Sequence, residues 1–192
     1  MARPRKFDEN EVLMSALQTF WRQGFDATTY RELERQTGVG LRSLNNTFGE
    51  KEALFARVLE VYRDLAEERL KQLFQTPGLD GLSAFFTAFP DGNDDPDDPS
   101  NSGCLMVNSV LDMGERSPAA EQQIVAFREM FKTLFQEALL ADGIADADAR
   151  SEYLVSALWG MLVHVRMMGG RASAAPMARV VVETMRGWTG AE

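Results

Sequence analysis

Residues 28–55, TTYRELERQTGVGLRSLNNTFGEKEALF, constrain this chain more than any other stretch. Two short amphipathic segments flank the turn Thr37-Gly38-Val39-Gly40, and a long helical pattern begins at Lys51. Thr29 followed by Glu32 is a capping-box pattern, which opens the first helix. Leu41, Leu44 and Phe48 give the second helix one narrow apolar stripe, and Gly49 stops it. The opposite face carries Arg42, Ser43, Asn45 and Asn46, side chains suited to base edges. This is the layout of a helix-turn-helix DNA reader.

The charge distribution agrees with that layout, although the net charge of −9 at first does not. Residues 1–48 hold seven basic and six acidic residues, while 49–192 hold thirteen and twenty-three. A near-neutral head therefore joins an acidic body that phosphate repels. Arg3, Arg5 and Lys6 form a basic arm suited to a minor groove. Thr28 and Thr29 sit where a helix start favours phosphate, and Lys51 is placed to anchor the neighbouring phosphate. One cysteine excludes an intrachain disulfide and fits a reducing compartment. With no apolar leader and no stretch long enough to span a bilayer, a cytoplasmic location is expected, without a membrane partner.

Helical periodicity runs through the rest, predicting an all-α chain of about nine helices. Apolar positions repeat from residue 54 to 74, which predicts one long helix of about 25 residues, about 37 Å in length. Leu79–Phe89 and Pro118–Ala141 read as helices. Cys104–Met113 reads as a helix too, although its β-branched residues also suit a strand. The acidic stretch Pro90–Ser102 reads as a loop. Residues 1–50 are taken as the head and 51–192 as an effector-binding and dimerisation body. The last two helices, Asp146–Met168 and Met177–Trp188, are apolar nearly all round. Such a helix is either central in one protomer or shared with a second copy. Leu154, Ala157, Leu158, Met161, Val165, Val181 and Met185 are the candidate dimer contacts.

The head resembles the DNA-binding domain of TetR-type transcriptional regulators over residues 8–62. The landmarks are Phe20-Trp21-Arg22-Gln23-Gly24-Phe25, Thr28-Thr29, Gly38-Val39, and Phe48 with Lys51-Glu52-Ala53-Leu54. Three positions depart from the family's pattern. Asn45 replaces a common Tyr, Glu34 a small residue whose charge then needs exposure or a partner such as Arg31 or Arg35, and Gly40 a capping Ser. The resemblance implies a homodimer that holds a palindromic DNA operator, is released by a small-molecule effector, and acts as a repressor rather than an enzyme. The runner-up is an all-α interaction adaptor with a degenerate helix-turn-helix.

Candidate effector contacts are Phe86, Phe89, Cys104, Asn108, Phe127, Phe131, Trp159 and His164, with ordinary core packing the alternative for each. Cys104 opens a helix, where the dipole lowers a thiol pKa, so a response to electrophiles or oxidants is one reading and a buried structural thiol the other. A lone histidine and a lone cysteine show no metal-ligand spacing, and no cofactor or metal is expected. No nucleophile elbow or P-loop appears.

Overall fold

The computed structural model describes residues 7–92, 98–113 and 117–189. The proposed arm residues Arg3, Arg5 and Lys6 lie outside them, as does most of the acidic stretch, 93–97. Among the described residues the architecture is all-α, with nine α-helices and two short 3-10 turns. They are α1 (Glu9–Gln23), α2 (Tyr30–Thr37), α3 (Leu41–Phe48), α4 (Lys51–Leu73), α5 (Gly78–Ala88), α6 (Leu105–Met113), α7 (Pro118–Ala141), α8 (Ala147–Met168) and α9 (Ala175–Arg186). The segment opening at Cys104 is helical, which resolves the helix-or-strand ambiguity. None of these helices is long and apolar enough to cross a membrane.

The first four helices are held by one aromatic nucleus. Phe20 of α1 meets Phe55 of α4 edge-on at 4.8 Å, and Phe25, in the turn after α1, lies 5.0 Å from Phe55. Phe20 and Phe55 are fully buried. Neither α2 nor α3 exceeds eight residues, too short to persist alone in water. Each is pinned through one fully buried leucine, Leu33 in α2 and Leu44 in α3.

Below the head, α4 packs on α7, and α5, α6 and α8 complete the layer around α7. A second aromatic run fills this body. Phe127, Phe131 and Phe135 follow one another along α7 with ring centroids 5.1 and 5.7 Å apart, and Phe86 of α5 joins Phe135 at 5.7 Å. Pro77 cannot cap α5 with a side chain, so Asp142 at the end of α7 accepts from the Leu79 N–H at 2.7 Å. Gly78, at φ 74°, admits that carboxylate, because a Cβ there would stand 2.5 Å from its oxygens.

The last two helices correct the expected dimer contacts. Leu154, Leu158, Met161 and Val165 of α8, with Val181 and Met185 of α9, are buried inside the protomer itself. Of the seven candidates only Ala157 keeps partial exposure. A helix apolar all round has two apolar faces, and sequence periodicity does not say which one turns inward. The outward stripe instead carries Tyr153, Ala157, Gly160, Val163 and Met167, spaced three and four apart, beside Met177 and Val180 of α9.

If the aromatic nucleus holds the head together, Phe55→Ala should cost about 3–5 kcal/mol in urea unfolding, with the head melting first. A loss below about 1 kcal/mol would show that the short helices are held some other way.

Candidate nucleic-acid interface

The turn between α2 and α3 is built by glycine at two places. Gly38 closes α2 in the left-handed region (φ 68°), its N–H donating to the Glu34 carbonyl. Gly40 is the N-cap of α3 and offers no side chain to the exposed helix start. Glu34 supplies the missing acceptor from α2: its carboxylate takes the Leu41 N–H. This corrects the expected pairing of Glu34 with Arg31 or Arg35. Arg35 instead binds Glu32 at 2.6 Å, and that contact, helped by Gln36, lowers the Glu32 pKa to about 2. A carboxylate at the positive end of α3 also has the favourable sign for the helix dipole.

With Leu44 buried and Phe48 half-buried, Arg42, Ser43, Asn45 and Asn46 stand together on the solvent face of α3. All four base-edge candidates are therefore free of the core and share one helix face. Thr29 is the N-cap of α2, its hydroxyl accepting from the Glu32 N–H at 3.2 Å.

Two of the phosphate candidates are turned inward. Thr28 is fully buried, and its hydroxyl donates to the Gly24 carbonyl at 2.6 Å. The Lys51 ammonium donates to the Thr28 carbonyl at 2.8 Å and lies 4.1 Å over the Phe25 ring, while partial burial lowers its pKa. The Lys51 backbone N–H donates to the Tyr30 hydroxyl at 2.9 Å. These bonds clamp the start of α4 to the start of α2. In both cases backbone carbonyls exposed at a helix turn outcompete a distant phosphate for the donor.

Head and body meet at a second joint that sequence reading missed. The Trp21 indole N–H donates to the Gly103 carbonyl at 3.0 Å, and its ring meets Tyr62 of α4 edge-on at 5.0 Å. The Tyr62 hydroxyl in turn donates to the Cys104 thiol at 3.2 Å. Cys104 is buried, and burial pushes its pKa up, outweighing the Tyr62 bond and the N–H groups of α6. The expected lowering by the helix terminus is thus reversed, and the thiol stays protonated at neutral pH. The only advance signal for this joint was that Trp21 stands on the polar side of α1.

The remaining effector candidates are dispersed. Phe86, Phe127 and Phe131 are buried in the aromatic run, and Phe89 is buried at the end of α5. The Asn108 amide donates to the Ser102 carbonyl at 3.0 Å. Trp159 and His164 are half-buried on α8, and the Trp159 indole N–H has no acceptor among the described residues. An open cleft of about 570 Å³ lies elsewhere, between α4 and α7. Leu70, Phe74, Met130 and Leu134 line it together with Glu67, Glu129 and Glu137, and none of the eight candidates does.

Comparison with known proteins matches the same parts. Residues 12–58 fit the family model "Bacterial regulatory proteins, tetR family". The HTH-type transcriptional repressor ComR of Escherichia coli (strain K12) is 28% identical over 196 residues, covering 97% of this chain and 91% of that protein. A TetR-family regulator from Cytophaga hutchinsonii shares the fold with a TM-score of 0.83 at 14% identity, over 98% of this chain and 100% of that one. A cysteine mutant of the TetR-family regulator CifR, complexed with 26bp double-strand operator DNA, superposes with a TM-score of 0.74 at 22% identity, over 97% and 100% of the two chains.

Removing the Glu34 cap should loosen α3 and cost about 0.5–2 kcal/mol in Glu34→Ala. Adding Gly40→Ser should restore most of it, since a Cβ at Gly40 meets nothing closer than the Glu34 oxygen at 3.7 Å. Hydrogen exchange at the Leu41 amide is the readout. Unchanged protection in Glu34→Ala would refute the cap.

Proposed function

We propose that this chain, a TetR-type transcriptional regulator in its head and its fold, is a cytoplasmic repressor that grips a palindromic operator as a homodimer and lets go when a small molecule binds its body. The observation that carries the reading is the solvent face of α3. Arg42, Ser43, Asn45 and Asn46 stand clear there on a helix whose other side is locked by Leu44 and whose start is capped by Glu34. Arg42 is suited to guanine, and the two asparagines to adenine or phosphate. Thr29, at the start of α2, is the phosphate-side contact, and Arg3, Arg5 and Lys6 extend toward the adjacent minor groove. Residues 1–50 act as the reading head and 51–192 as the controlling body, with α4 as the lever between them.

Dimerisation uses the outward stripe of α8 and α9. Val163 is 46%, Met167 76% and Val180 48% exposed in the single chain, a contiguous apolar surface that water disfavours. Nothing lies within 4 Å of a Cβ built on Gly160, so a facing helix can approach there closely. Two heads held by such a core must reach major grooves about 34 Å apart. A tilt of α4 transmitted through Trp21, Tyr62 and Gly103 spoils that spacing. A ligand that favours the tilted state therefore releases DNA, and DNA weakens the ligand to the same degree. Because Cys104 is held as a protonated thiol, a non-covalent effector suits the site better than an electrophile.

Selection of bound sequences from random DNA should return one palindrome. On it, Arg42→Ala should lose about 1–3 kcal/mol and relax the preference at one base pair. Equal loss on all sequences would demote Arg42 to a phosphate contact, and absence of any salt-dependent DNA binding would end the repressor reading. Val163→Glu with Met167→Glu should convert the dimer to monomer in sedimentation analysis. A dimer that survives both changes uses another surface.

A further inference from the structure

Arg171 opens the 3-10 turn Arg171–Ala174 after α8 and is drawn into the body rather than left in solvent. Its stem packs within 3.1–3.4 Å of where a Cβ on Gly92 would lie, and its guanidinium sits 5.3 Å over the Phe89 ring. The Nε–H is fully buried and has no acceptor among the described residues. A guanidinium cannot shed its proton to escape that cost, so a buried, unpaired donor of this kind calls for an anion. Around it stand Tyr62, Cys104, Asp98 and a second cation, Arg69. Asp98 is the N-cap of the 3-10 turn Pro99–Ser102, its carboxylate accepting from the Ser100 N–H at 2.7 Å. With the thiol neutral, two guanidinium groups face one carboxylate. A local positive surplus thus lies inside an acidic body, walled by the aromatic rings of Phe89 and Tyr62.

We propose that Arg171 is the anion-recognition point of the effector site, taking a small carboxylate with an apolar body. The carboxylate pairs with the guanidinium fork, and the apolar part packs on the aromatic wall. The inference rests on the reading of the body as effector-binding and names the class of molecule it takes. The position also explains transmission. Tyr62, which faces Arg171, touches both Cys104 and Trp21 of the head, so an anion drawn to Arg171 presses on the joint that carries α1.

The test uses the full chain, with benzoate and hexanoate as probes and their uncharged amides as controls, followed by calorimetry. Both acids should bind saturably, the amides about tenfold or more weaker, and Arg171→Met should bring the acids down to the amides. The proposal is overturned if neither acid binds, if acids and amides bind alike, or if Arg171→Met keeps acid affinity. A second readout needs no ligand. Replacing an unpaired buried charge by an apolar chain of similar length should leave the melting temperature unchanged or raise it. A clear fall in Arg171→Met would mean that the guanidinium is already paired within the chain, and would also overturn the proposal. Operator binding is followed separately. Acid binding that requires Arg171 but leaves DNA binding untouched sinks the effector reading alone. Release by another compound, without any acid binding, sinks the carboxylate alone.

Discussion

The reading surface depends on the packing of Phe20, Phe25 and Phe55, because the helices that touch DNA have almost no core of their own. An eight-residue helix with one buried leucine does not form by itself. It forms because α1 and the first turns of α4 enclose an aromatic nucleus, and because its ends are capped from outside. Glu34 caps α3, while Tyr30 caps α4. Lys51, bonded to the Thr28 carbonyl and stacked on Phe25, ties the two capped ends together. The residues left over, Arg42, Ser43, Asn45 and Asn46, are free for DNA because none of them is needed to hold the helix.

The same nucleus makes α4 the connection to the body. Its first half belongs to the head core through Phe55, while Tyr62, one turn past Val58, already touches Trp21 and Cys104. A rigid helix embedded in two cores carries displacement from one to the other. The joint at Gly103 adds a second tie, since the Arg166 guanidinium and the Asn108 amide both bond the Ser102 carbonyl beside it. Motion at the body's polar pocket around Arg171 therefore reaches α1 by two routes, along α4 and through Trp21.

Where sequence reading succeeded, the signal was local. The order and type of the helices, their stops at Gly24, Gly38 and Gly49, and the exposed face of α3 follow from periodicity and turn residues within about ten positions. Where it erred, a distant partner took the decision. Glu34 looked for a basic neighbour on its own helix and found a backbone N–H seven residues on. Thr28 and Lys51 looked available to phosphate but spend their donors on carbonyls. Cys104 has the helix terminus that activates a thiol, yet the burial that suppresses it comes from helices far away in sequence.

The chain's own pattern of residues determined an all-α fold, a helix-turn-helix head and an acidic body, because each rests on spacing and charge along a single segment. Which apolar face of α8 turns inward, which donors remain free for DNA, and where an unpaired arginine lies buried were decided only by tertiary packing. Those are questions of which group reaches a partner first, and the answer depends on distances that only the folded chain sets.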